Sequence, residues 1–182
     1  MDKVLHQRKI VDRRALLAEI DAILGDGGYR SDRRPAALAV LKAAHAAGVA
    51  EVKARLAETG LGSEVLAGNT LLIDQLIRVI HELALRAYPV ANPSKGEALA
   101  VVAVGGYGRA EMSPLSDIDL LFVTPYKVTP HAEQMVEYTL YMLWDLGLKV
   151  GHATRSLPEC VRLAKQDITI RDRKSTRLNS SH

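Results

Sequence analysis

From Arg13 to Leu24 the apolar residues Leu16, Leu17, Ile20, Ile23 and Leu24 recur at intervals of three and four. That spacing predicts a helix with one buried face, ended by Gly25, Gly27 and Gly28. A second helix starts near Arg34-Pro35, because proline is tolerated in a first turn. It runs through an alanine-rich stretch to about Ala57, with Gly48 a candidate break. Beyond Gly60 and Gly62, Ser63 offers an N-cap for a third helix over Glu64 to Ala87. Its apolar stripe is Leu71, Leu72, Leu76, Ile77, Ile80 and Leu83.

The period changes after Pro89, Asn92, Pro93, Ser94 and Gly96. Ala98 to Val104 is a short, nearly all-apolar run, the mark of a strand buried on both faces. It stops at Gly105-Gly106-Tyr107-Gly108-Arg109, after which a brief helical turn and the loop Ser113-Pro114-Leu115-Ser116 are expected. Asp117 to Val123 alternates as a second strand. Pro130 to Leu146 is amphipathic helix, with Met135, Tyr138, Met142 and Leu143 facing inward and Gly147 ending it. Leu148 to Arg155 is a third strand, and Ser156 with Glu159 forms a capping box for a helix reaching about Lys165. The fold class is α+β: a helical N-terminal region over 1–95, a small sheet with flanking helices over 96–171, and a tail over 172–182.

The tail is polar and basic, lacks an apolar period, and is expected to be disordered. It also resembles the translation of a sequencing adapter and is set aside from fold reasoning. Composition adds mainly exclusions. The net charge is +3, but the last eleven residues contribute +2, leaving +1 for the remainder. With aromatic residues at 4%, that balance predicts no nucleic-acid surface. No run of about 18 or more uncharged apolar residues occurs, so no membrane partner is expected. Cys160 is the only cysteine, which excludes an intrachain disulfide and points to the cytoplasm. It is expected to be an inert residue of a helix. His45 and His81 have no partner at metal-ligand spacing and are expected to be packing or surface residues.

Two features twelve residues apart carry chemistry. Glycines at a strand-to-helix turn allow positive φ and let the backbone approach a ligand. At Gly105 and Gly106 the amides can face phosphate oxygens, with Arg109 as a fixed cation beside them. The run is not a dinucleotide fingerprint, because Glu111 stands at the third glycine position, and it lacks the Gly-Lys-Ser/Thr ending of a P-loop. The second feature is Ser116-Asp117-Ile118-Asp119-Leu120-Leu121-Phe122. In a strand Asp117 and Asp119 share a face, their Cα atoms roughly 6.6 Å apart. Two carboxylates so placed repel each other, and Mg²⁺ or Mn²⁺ would relieve the repulsion. Together the parts describe a site where a glycine loop holds β and γ phosphates and two acids hold metal against the α phosphate. The reaction class is nucleotidyl transfer.

Gly105-Gly106-Tyr107-Gly108-Arg109 followed by Ser113-Pro114-Leu115-Ser116-Asp117-Ile118-Asp119-Leu120-Leu121 resembles the DNA polymerase beta-type nucleotidyltransferase superfamily. Within it, the chain resembles the family of bifunctional uridylyltransferases that act on the PII nitrogen regulatory protein. The likeness extends through Trp144 to His152 and, more loosely, into the helical region. It implies a truncated polymerase beta-type core and transfer of UMP from UTP to a tyrosine hydroxyl of PII, with Mg²⁺. By motif position Gly105 and Gly106 would contact phosphate, Asp117 and Asp119 would be catalytic metal ligands, and Arg109 and Ser116 would assist at the nucleotide.

Two departures accompany the likeness. Ala110 follows Arg109 where glycine is expected, and the third strand offers His152 but no acid where many members place a third carboxylate. Either Glu111 or Asp145 completes the site, or two aspartates suffice. The family's uridylyl-removing half needs a His-Asp metal domain, and no His-Asp dipeptide occurs here. Its glutamine-sensing domains would also lie beyond residue 171. Because the pattern stops soon after the third strand, leaving the fold's far edge and nucleotide cover missing, the isolated chain is expected to bind nucleotide weakly and to lack robust activity. The alternatives are a nucleotidyltransferase for a small-molecule hydroxyl and a nucleotide-binding regulatory module without turnover.

Overall fold

The computed structural model describes residues 6–25, 33–91, 94–166 and 177–180. Among them the helices α1 (Gln7–Ile10), α2 (Arg13–Leu24), α3 (Arg34–Thr59) and α4 (Gly62–Ala87) precede the first strand. α2 starts where Asp12 accepts the amides of Arg14 and Ala15 at 3.0 and 3.2 Å, satisfying two donors that no turn can reach. It buries Leu16, Ile20 and Leu24, whereas Ile23 of the expected stripe faces solvent. Of the glycines expected to end it, Gly25 is the C-cap, and Gly27 and Gly28 lie outside the described residues.

Gly48 does not break α3; it sets how closely α3 approaches its neighbours. A Cβ there would stand 2.5 Å from Leu72 Cδ1 and 2.9 Å from the carbonyl oxygen of Ile10. Gly68 answers from α4, where a Cβ would lie 2.9 Å from Val52 Cγ2. By length and composition alone α3 is apolar enough to cross a membrane, although Lys42, Glu51 and Lys53 interrupt it. Its hydropathy comes largely from alanine, and Ala37, Val40, Leu41, Gly48 and Val52 are buried within the protein. α4 is capped at Leu61, not Ser63, which lies in its first turn. Leu72, Leu76, Ile77, Ile80 and Leu83 of the expected stripe are buried, each such side chain stabilising the fold by roughly 1.5–3 kcal/mol. Leu71 is partly buried.

The strands β1 (Ala100–Ala103), β2 (Ile118–Thr124), β3 (Val150–Ser156) and β4 (Arg177–Ser180) form one sheet in the order β3-β2-β1-β4. β1 is antiparallel to β2 and β4, while β2 and β3 are parallel, so the sheet is mixed and the class is α+β. A parallel pair needs a crossover, supplied by α6 (Pro130–Asp145). Thr129 caps α6 by accepting the Ala132 amide at 3.2 Å, and Met135, Tyr138, Met142 and Leu143 are buried as expected. Short α5 (Gly105–Gly108) joins β1 to the loop before β2, and α7 (Leu157–Gln166) follows β3. At α7, Ser156 Oγ accepts the Glu159 amide at 3.3 Å, the first half of the capping box.

Residues 177–180 of the tail pair with β1 as β4. The physical reason is the bare second edge of β1, whose unpaired amides and carbonyls accept another strand. The rest of 172–182 lies outside the described residues. One apolar cluster runs from Ile10 through α4 and the sheet to Leu146. Along β2, Ile118, Leu120, Phe122 and Thr124 are buried, and Asp119, Leu121 and Val123 between them are partly exposed. Asp119 therefore lies on the face turned away from the apolar cluster.

Candidate functional site

The turn after β1 is made by the glycines themselves. Gly105 has φ +63°, and the helical turn is Gly105–Gly108, not a segment after Arg109. The Gly108 amide donates to Val104 O at 3.0 Å, so the amides of Gly105 to Tyr107 precede the first intrahelical bond. Further bonds close the loop on itself: Arg109 N–H to Gly105 O at 3.3 Å, Ala110 N–H to Tyr107 O at 3.0 Å, and Glu111 N–H to Gly106 O at 3.0 Å. Val104 N–H donates to Asp119 O at 3.0 Å, which holds the start of the loop on β2.

Asp119 is seated between two glycines. A Cβ on Gly105 would lie 2.6 Å from its Oδ2, and a Cβ on Gly151 would lie 2.8 Å from its Oδ1. The register pairs Asp119 with Gly151 across the parallel strands, so the missing side chains on both sides make room for this carboxylate. Gly151 is the site residue that sequence reasoning did not identify. Its signal, a glycine beside an acid on the neighbouring strand, emerges only once the register is known. Gly106 has looser surroundings, its would-be Cβ 3.8 Å from Glu111 O and 3.9 Å from Arg109 Nη2.

Asp117 precedes β2, which begins at Ile118 where that amide donates to Lys149 O at 2.8 Å. It is exposed, and buried Ile118 separates it from Asp119. Ser116 is exposed at the end of the turn, its amide donating to Ser113 O at 3.1 Å. Arg109 Nε donates to Glu111 Oε2 at 2.7 Å, and both side chains are about half exposed, at 53% and 54%. The expected phosphate cation thus already has an acidic neighbour. Ala110, where glycine is expected, has φ +62°.

Neither proposed third acid joins the pair. Glu111 is bound to Arg109, and Asp145 is bound to Arg34, whose guanidinium also sits over the Tyr141 ring at 5.7 Å. His152 pairs with buried Leu120, and its ring meets Trp144 at 6.3 Å, so it lies on the opposite face from Asp119. Among the described residues no group of three or more His, Cys, Asp or Glu side chains is arranged to hold a metal, and no ion pair engages Asp117 or Asp119. Asp119 against the glycine turn, with Asp117 two residues before it, still offers the oxygen donors that suit Mg²⁺. That ion commonly takes one or two carboxylates and completes its shell from water and substrate phosphates.

Concavities of about 430 and 420 Å³ lie along the outside of α6 and between α4 and the start of α6. Neither is lined by Asp117 or Asp119. Burial raises the Cys160 thiol above its ordinary pKa, with Arg155 pulling it down and Glu159 pushing it up, which makes it a poor nucleophile.

No protein-family model matches the chain. It is 51% identical over 171 residues to the bifunctional uridylyltransferase/uridylyl-removing enzyme of Rhodospirillum rubrum, covering 93% of this chain and 18% of that protein. The enzymes of the same name from Novosphingobium aromaticivorans and Azospirillum brasilense are 50% and 47% identical over 173 and 167 residues. Those matches cover 94% and 91% of this chain. The chain spans only 18–19% of the length of these relatives, and over nearly all of its own length it is homologous to a segment of the bifunctional uridylyltransferase/uridylyl-removing enzymes.

Proposed function

We propose that this chain is the nucleotidyl-transfer segment of a longer uridylyltransferase, moving UMP from UTP to a tyrosine hydroxyl of the PII protein. The observation that carries the reading is the seat of Asp119. Its carboxylate lies against Gly105, the first residue of the glycine turn, so acid and turn border one space. The amides of Gly105 and Gly106 would face the β and γ phosphates, and Asp117 and Asp119 would hold Mg²⁺ or Mn²⁺ at the α phosphate. Arg109 would reach phosphate by leaving Glu111, and Ser116 would assist at the nucleotide. The metal ion, when bound, would neutralise charge on the reacting phosphate and the leaving oxygens. The acceptor oxygen forms a bond to the α phosphorus as the bond to the bridging oxygen breaks, and pyrophosphate departs with that electron pair. The acceptor's proton passes to solvent. Glutamine control and removal of UMP belong to parts of the longer protein outside this chain, and a cytoplasmic setting accords with a protein acceptor of this kind.

The test offers α-labelled UTP to the complete protein together with PII or an aminoglycoside. Label on PII, lost in Asp117→Asn and Asp119→Asn, is the expected result. Label only on the small molecule would replace the protein acceptor with a small-molecule hydroxyl. The absence of a third acid beside Asp119 among the described residues is the observation favouring a non-catalytic module. Tight UTP binding with no turnover under any metal would establish that second reading.

A further inference from the structure

The loop from Gly105 to Met112 obtains its shape from its own backbone bonds, but its position comes from elsewhere. Tyr107 is 1% exposed, and its hydroxyl donates to Asp74 Oδ1 at 2.7 Å. At the other end of the loop, the buried Met112 amide donates to Thr70 Oγ1 at 3.4 Å. Asn69 Nδ2 donates to Met112 O at 3.5 Å. All three partners lie on α4, and Thr70 and Asp74, four residues apart, share one side of that helix. Thr70 is itself fully buried, with its hydroxyl donating to Leu66 O at 2.7 Å.

We infer that Asn69, Thr70 and Asp74 are positioning residues that fix the glycine loop against the sheet through Tyr107 and Met112. The inference rests on the reading that this loop holds the phosphates of a nucleoside triphosphate. Between the two anchors lie Gly108 to Glu111, the segment with Arg109 and the positive-φ Ala110. A loop whose interior is strained and exposed keeps one place only if both ends are held, and a buried tyrosine hydroxyl needs its acceptor. The helical region is thereby part of the nucleotide site, although it touches no phosphate. Losing the Tyr107–Asp74 bond leaves an aromatic ring of the same shape in the core and releases one end of the loop.

The experiment compares Tyr107→Phe, Asp74→Ala and Asp74→Asn in the complete protein, with Asp119→Asn in parallel. It measures KM for UTP, KM for the acceptor protein, and Tm. Tyr107→Phe and Asp74→Ala are expected to raise KM for UTP about tenfold, the equivalent of one hydrogen bond. KM for the acceptor should hold nearly constant in both; Tm should hold in Tyr107→Phe and fall somewhat in Asp74→Ala, which takes this acceptor from a buried hydroxyl. Asp74→Asn keeps an oxygen acceptor and should restore most of the affinity. An unchanged KM for UTP, in a background where Asp119→Asn abolishes turnover, would overturn the positioning role and leave the site reading intact. Loss of activity that only follows a fall in Tm, with Asn no better than Ala at position 74, would also overturn it. Full turnover in Asp119→Asn would remove the site reading, and the positioning role with it.

Discussion

Replacing Gly151 with alanine tests the seat of Asp119 without removing the acid. Gly151 lies within β3 and does not need a positive φ, so alanine suits its backbone. Glycine inside a strand is less favourable than alanine by roughly 0.5–1 kcal/mol, so the change should not weaken the fold. The new Cβ would stand 2.8 Å from Asp119 Oδ1. Ordinary carbon–oxygen approaches are about 3.3–3.6 Å, so the carboxylate must retreat by roughly 0.5–0.8 Å. Its retreat is towards Gly105, into the space that the missing Cβ there leaves 2.6 Å from Oδ2, and so onto the glycine turn itself. A misplacement of about 1 Å can cost on the order of 10²-fold in rate, near 2.7 kcal/mol of barrier. We expect kcat for UMP transfer by the complete protein to fall by about that factor and Mn²⁺ to bind more weakly, with Tm unchanged or slightly raised. Gly147→Ala is the control: its φ is +79° and its Cβ would meet nothing within 4 Å, so it should lower Tm and leave kcat alone. A Gly151→Ala protein with native kcat and native Mn²⁺ affinity would refute the reasoning.

Three further outcomes are expected. Ala110→Gly should raise stability by about 0.5–1 kcal/mol in urea unfolding, because the left-handed cost it removes exceeds the added chain entropy of glycine. Gly48→Ala should destabilise by about 1–3 kcal/mol despite alanine's better helix propensity, since its Cβ would stand 2.5 Å from Leu72 Cδ1; a rise in the urea midpoint would contradict the packing argument. Burial holds the imidazoles of His81 and His45 below their usual pKa. The unfolded chain then binds protons near pH 6.5 that the folded chain refuses, so stability is complete above about pH 6.5 and falls as pH drops below it. Urea midpoints between pH 7.5 and 5.5 should show that fall, and His81→Gln should reduce it.

The period of apolar residues made most of the elements legible. Arg13–Leu24 matches its expected bounds, and β2, α6, β3 and α7 fall within a residue or two of theirs. Local chemistry was also readable, as at Ser156, because a cap and its amide lie within one turn. What failed to show depends on partners distant in sequence. Gly48 looked like a break because its reason, the side chain of Leu72, sits on another helix. Ser63 looked like a cap because helix entry at Leu61, ahead of it, leaves no local mark. Asp117 and Asp119 stood out by spacing, but the glycine that accommodates one of them belongs to a strand more than thirty residues later. Glu111 and Asp145 were candidates by type alone, and each is engaged by an arginine.

Among the described residues β3 forms the lateral margin of the sheet, with one row of backbone donors and acceptors facing outward. Such a margin is adhesive towards any extended peptide of suitable register. When the piece is produced alone, two copies can join edge to edge and hide the very strand that borders Asp119. Its apparent size should then grow with concentration, and preparations kept dilute will represent the single chain.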